Sequence, residues 1–244
     1  MDDTGIQRAQ AGLSLLFAPG QRPDLNTLRG ALQTCQVQAT IVHEDADRGG
    51  AELIVSGLMF EVDGLAPGVA ETAQVPADVY GFVDTLPTDR QGAVRLLPGH
   101  HLSGGLSLGP VIRAMLALAA ELAVSLPVTA VLWHPAKTAI EPRAFSRAVL
   151  AWLAGGAFPA AGLTALSAMA DGSVVSRGLA HFVGQEMTLR GEGGGPDFKL
   201  AAQIVDRIVQ EGPLHALTQW RVHDVLVTAE PAHAARQILV WRAA

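Results

Sequence analysis

The sequence predicts an α+β fold: mixed and antiparallel sheets, helices packed on one face, and a buried central helix over 107–126. Three observations carry this. First, Leu108 to Leu126 is apolar nearly all the way round, with only Arg113 and Glu121 charged, as expected of a helix packed into a core. Second, short β-branched or alternating runs recur along the chain, separated by Gly and Pro turns. Third, single helical stripes fall between groups of strands, without the strict strand–helix alternation of a parallel sheet.

Bulk composition narrows the function classes. The chain has 244 residues, 49% of them hydrophobic and only 16% charged, which suits a compact protein with a large core. The net charge is −6 with no basic block, so neither nucleic acid nor an anionic membrane is expected as a partner. Cys35 is the single cysteine, which removes a disulfide framework and a cysteine metal cluster within the chain. The first ten residues lack the apolar run of a signal peptide, and the cytoplasm is the expected location.

In chain order, residues 1–11 read as a loose or weakly helical lead, and Leu13 to Ala18 as the first strand. Asp24 opens a helix to about Thr34, with Leu25, Leu28, Ala31 and Leu32 on one face. Ala39 to His43 is a strand, and Ala51 to Leu65 reads as one long strand with Gly57 as a bulge. Pro76 to Leu86 is expected to be a short helix. Val94 to Leu97 is a strand that continues past Pro98-Gly99 to Leu102. This β-α-β-β-α-β order suits a split-βαβ arrangement.

The central helix follows, with Ser107 as the expected N-cap and Pro110 in its first turn. Pro127 ends it. Val128 to Trp133 is a β-branched run that suits a strand covered on both faces, and a polar loop follows at His134 to Thr138. Glu141-Pro142 opens a helix to Leu153. Leu163 to Met169 is a strand, Asp171-Gly172 a hairpin turn, and Val174 to Arg190 a returning strand bent at Gly184. Asp197 to Glu211 is an amphipathic helix. Val222 to Thr228 and Gln237 to Trp241 close the fold, the last as an edge strand. No linker stands out. The chain therefore reads as a single domain, 1–244, or as two closely packed halves, 12–106 and 107–244, with a weak β-α-β-β pseudo-repeat.

Polar loops after buried strands are where ligands usually sit, which directs attention to three clusters. They are His100-His101, Trp133-His134-Pro135-Ala136-Lys137, and His181 with Glu186. His101, His134, Lys137, His181 and Glu186 are the candidate catalytic residues of a hydrolase-like, metal-assisted site. A zinc site would want two or three such ligands and an open position, but no zincin spacing is present. The Gly-rich turn before the central helix offers Gly104, Gly105 and Ser107 as candidates for binding a small anion. It lacks both the P-loop ending and the dinucleotide glycine spacing. A tight turn needing positive φ is the competing reading. There is no Gly-x-Ser-x-Gly elbow.

Trp133-His134-Pro135-Ala136-Lys137 after an apolar strand resembles the Trp-x-Pro-x-Lys loop of a bacterial family, domain of unknown function 4261. Gly178 to Met187 resembles that family's Gly-Leu-x-x-Phe-Gly-x-x-Glu segment, except that Val183 separates Phe182 from Gly184. The early Ala51 to Leu65 strand and the Val75-Pro76 segment are also similar. The resemblance implies a cytoplasmic bacterial α+β protein and transfers no catalytic residue.

The leading expectation is a non-enzymatic interaction or regulatory domain. It has no cofactor and no metal, and uses an apolar patch at an edge strand for a protein partner or a homo-oligomer. The alternatives are the His/Glu enzyme and the anion-binding module at Ser107.

Overall fold

A computed structural model describes residues 3–72, 74–83, 92–232 and 236–243. The fold is α+β with two mixed sheets. The chain divides into two compact units, Met1–Gly156 and Ala157–Ala244.

The first unit runs α1 (Asp3–Gln10), β1 (Leu13–Phe17), α2 (Leu25–Thr34), β2 (Ala39–Asp45), β3 (Gly50–Val55), β4 (Leu58–Asp63), β5 (Asp78–Tyr80) and β6 (Gly92–Pro98). A 3-10 helix (His100–Gly105), α3 (Gly109–Ser125), β7 (Val128–Trp133), β8 (Thr138–Ile140) and α4 (Pro142–Leu153) complete it. The sheet order is β2-β3-β4-β6-β1-β7-β8-β5, antiparallel throughout except for the parallel β5–β8 pair. β1 lies at the centre with all five residues buried, so it is apolar without alternation apart from Ser14. Register places Leu13, Leu15, Val94, Leu96, Val131 and Trp133 on one face, and α3 packs across β3, β4, β6 and β7 there. Ser14, Arg95 and Leu132 fall on the other face, where α1 lies against β6.

Local chemistry sets the helix ends. The Asp24 carboxylate accepts from Thr27 N at 2.7 Å, and Glu141 accepts from Arg143 N and Ala144 N at 3.1 and 2.6 Å. α3 begins two residues later than expected, at Gly109. Leu108 is its N-cap without a side-chain bond, so Ser107 does not cap it.

Several expectations give way. The stretch 51–65 is a hairpin, not one strand: Ser56 and Gly57 have φ of 52° and 78°, the geometry of a two-residue turn. Residues 78–80 are a strand, because they pair in parallel with β8, while 84–86 of the expected helix lie outside the described residues. The strand through Pro98 does not run on to Leu102. The chain turns into the 3-10 helix after the Gly99 amide bonds Met59 O at 2.8 Å, so His100 and His101 are not strand residues. The polar stretch after β7 is only a tight turn, and Thr138 already belongs to β8. The division expected at 106/107 falls inside the first unit, where β1 and β7 pair directly.

The second unit runs α5 (Ala160–Leu163), β9 (Ala165–Ala168), β10 (Val174–Arg177), α6 (Ala180–Val183), β11 (Glu186–Leu189), α7 (Phe198–Glu211), β12 (Thr218–Val222), β13 (Val225–Ala232) and β14 (Gln237–Arg242). Its sheet order is β12-β13-β14-β11-β10-β9. α7 buries Leu200, Ala201, Ile204, Val205 and Ile208 along one stripe, and Asp197 caps it by accepting from Leu200 N at 2.9 Å. The expected strand 174–190 is broken by α6, which Gly184 ends in the left-handed conformation (φ 75°). The expected strand 222–228 is the turn and second arm of the β12–β13 hairpin. β14 is interior, paired antiparallel with β13 and parallel with β11, and so is not an edge.

Candidate functional site

His134 sits at the turn between β7 and β8. Trp133 and Ala136 are fully buried, Lys137 N bonds His134 O at 3.1 Å, and Lys137 takes φ 51°. The exposed Lys137 side chain leaves the turn, while its carbonyl accepts from Ala77 N at 2.8 Å. The Trp-His-Pro-Ala-Lys segment is thus a packed hairpin turn.

The His134 ring is held at both nitrogens. Nδ1 lies 2.7 Å from Ala9 O at the end of α1, and Nε2 lies 2.9 Å from Ser14 Oγ. A carbonyl can only accept, so Nδ1 carries the proton and Nε2 accepts from the serine hydroxyl. Burial pushes the His134 pKa below its ordinary value, the nearby Arg95 acts in the same direction, and the Ala9 bond opposes them. The imidazole is therefore neutral. A neutral histidine accepting from a serine is the ground state of a base-activated nucleophile. Here, however, Ser14 is 3% and His134 5% exposed, which leaves no room for a substrate at either. Ser14 was not a candidate in the sequence. It is 120 residues from His134, and its one signal is being the single polar residue in an apolar strand.

The same face carries two ion-pair groups. Buried Arg8 donates to Pro98 O at 3.1 Å and pairs with Glu61. Arg95 lies between Asp63 and Glu71 at 3.4 and 3.3 Å. Each positive charge has a carboxylate beside it, as partly buried charges require.

His101 is exposed on the 3-10 helix, its Nε2 3.0 Å from Met59 Sδ. Gly104 and Gly105 end that helix without positive φ, so the positive-φ reading of this turn fails. Ser107 is exposed beyond it.

His181 and Glu186 belong to the second unit. The Glu186 carboxylate is engaged at both oxygens: Oε1 accepts from Gly178 N and Ala180 N at 2.7 and 3.1 Å, and Oε2 accepts from Ser176 Oγ at 2.5 Å. Ser176 Oγ in turn accepts from Met187 N at 2.7 Å. The run from Gly178 to Glu186 is therefore a turn closed on its own carboxylate. Gly178 supplies the needed φ of 91°, and Leu179 is its buried anchor. His181 stands edge-on to Phe182, which meets Phe158 edge-on at 4.8 Å. Burial lowers the His181 pKa to about 4.

Cys35 is half-buried at the C-cap of α2, and burial pushes its thiol pKa up, the opposite of an activated nucleophile. Among the described residues no group of three or more His, Cys, Asp and Glu could hold a metal ion, and no helix is long and apolar enough to cross a membrane. No family model, curated protein or solved structure matches this chain.

Proposed function

We propose that this chain is a non-enzymatic interaction domain that works by binding, with a second copy of itself added at the free edge of β2. The carrying observation is how its polar groups are used. His134 is fixed between Ser14 and Ala9, and both oxygens of Glu186 accept from donors of its own turn, so the two side chains are engaged in holding the fold.

β2 is the edge that suits a partner. It is seven residues long, against three to five for the other terminal strands of the two sheets. A bulge between Ile41 and His43 leaves Val42 without a partner on β3 and 48% exposed. An antiparallel copy centred on Val42 would set Glu44 against Thr40 and Asp45 against Ala39, so no like charges oppose each other.

Light scattering after size-exclusion chromatography tests this on the full chain. The expected result is a dimer that Val42→Lys converts to a monomer, because two lysines would then face each other. A monomer at every concentration, or a dimer unmoved by Val42→Lys, would overturn the reading.

A further inference from the structure

β4 alternates along its length. Phe60 and Val62 are buried on the α3 side of the sheet, so Met59 and Glu61 face the other side, where both are half-buried. The chain comes back over this face at the end of β6. The Gly99 amide donates to Met59 O at 2.8 Å, and a Cβ on Gly99 would lie 2.8 Å from that same oxygen, so a glycine is what lets the backbone pass this close.

The 3-10 helix that follows is held on the same strand. His100 N donates to Glu61 Oε1 at 3.1 Å, Leu102 N donates to Gly99 O at 2.9 Å, and α1 packs against the helix. Glu61 is itself pinned by buried Arg8. These contacts set the His101 imidazole over the Met59 thioether, with Nε2 3.0 Å from Sδ. A methionine that only packs on an aromatic ring keeps its sulfur about 5 Å from the ring. Here the nitrogen itself meets the sulfur, and a thioether is a weak acceptor for an N–H. Two metal-ligating atoms therefore face each other on a backbone fixed at both strands.

The geometry points to a binding site for copper(I), with Met59 Sδ and His101 Nε2 as its protein ligands. Thioether sulfur selects soft ions, and imidazole suits copper. Bonds of about 2.0 Å to nitrogen and about 2.3 Å to sulfur, meeting at about 120°, need the two atoms about 3.7 Å apart, which the exposed imidazole reaches by moving less than about 1 Å. Zinc is disfavoured because it wants four ligands, and among the described residues no group of three His, Cys, Asp and Glu could hold a metal ion. The Glu61 carboxylate is already taken by Arg8 and the His100 amide. His100 is not a ligand, since neighbours on a 3-10 helix point about 120° apart. β3 lies between β4 and β2, so this site and the self-association at β2 fail separately.

The test is a titration of copper(I), supplied as its acetonitrile complex under nitrogen, into the full chain labelled with methyl-13C methionine. Cys35→Ser in all samples removes the one thiol. The Met59 methyl resonance, identified as the one absent in Met59→Leu, is expected to shift and saturate at one equivalent. His101→Gln should weaken the affinity at least about tenfold, with His100→Gln unchanged. Met59→Leu conserves volume and His101→Gln changes an exposed residue, so both variants keep the fold. Zinc should leave the Met59 methyl in place. A Met59 methyl unmoved at about tenfold excess of copper(I) would overturn the site. So would an affinity unchanged in His101→Gln, an equal loss in His100→Gln, or an equal response to zinc.

Discussion

His181 makes the second unit acid-sensitive by a calculable amount. Its folded pKa is about 4 because burial disfavours the imidazolium, against 6.5 when the ring is in water. A histidine with a lowered folded pKa takes up its proton more readily when unfolded. Its contribution to stability is therefore complete above pH 6.5, falls as pH drops below 6.5, and levels off below about pH 4. At about 1.4 kcal/mol per pH unit across that window, the full loss is about 3 kcal/mol, with about 2 kcal/mol gone by pH 5. That is a large fraction of a typical domain's stability. The assay is urea unfolding of the full chain at pH 7.5 and pH 5.0, followed by tryptophan fluorescence, for the wild type and for His181→Phe. The variant should lose about 2 kcal/mol less between the two pH values. The imidazole proton resonances of His181 should titrate near pH 4. A midpoint near 6.5, or an identical pH difference in His181→Phe, would refute the argument from burial.

Other consequences follow from the buried polar ties. Ser14→Ala leaves His134 Nε2 without its donor in a dry site and should cost about 1–3 kcal/mol in urea unfolding. A fluorophosphonate probe should leave Ser14 unlabelled in the native protein, since the hydroxyl is under α1, and native labelling that disappears in Ser14→Ala would show an accessible nucleophile instead. Glu186→Ala strands two backbone amides and a serine hydroxyl at once and should cost roughly 3 kcal/mol, with Glu186→Gln milder because it keeps one acceptor oxygen. Equal melting temperatures for the wild type and Glu186→Ala would contradict the closed-turn reading.

The elements that could be read from the sequence were those with strong local signals. β7 was legible to the residue because Pro127 and His134 bracket a β-branched run, and α7 because Asp197 and Gly212 bracket a clean stripe. The β3–β4 hairpin was missed because its signal is ambiguous. The buried positions are odd up to Val55 and even from Phe60, and the bulge read at Gly57 accounts for that change of phase as well as a turn does. β14 could not be placed, since its neighbours β11 and β13 are chosen by pairing that no local pattern encodes. The Ser14–His134 contact was hidden for the same reason, since it joins segments more than a hundred residues apart. Glu186 was read as a candidate acid because a carboxylate in sequence carries no record of its donors. Those donors are set by the turn at Gly178, which forms only once β10 and β11 pair.

The proposed function has β2 meet a second copy of the chain. Hydrogen–deuterium exchange across residues 39–45 at about 1 μM and about 100 μM protein tests it most directly, because a strand added at an edge protects outward amides that are otherwise open to water. Slower exchange is expected in this segment at the higher concentration, with no change in β7 at the sheet's centre. Identical exchange of β2 at both concentrations, with light scattering reporting a monomer, would contradict it.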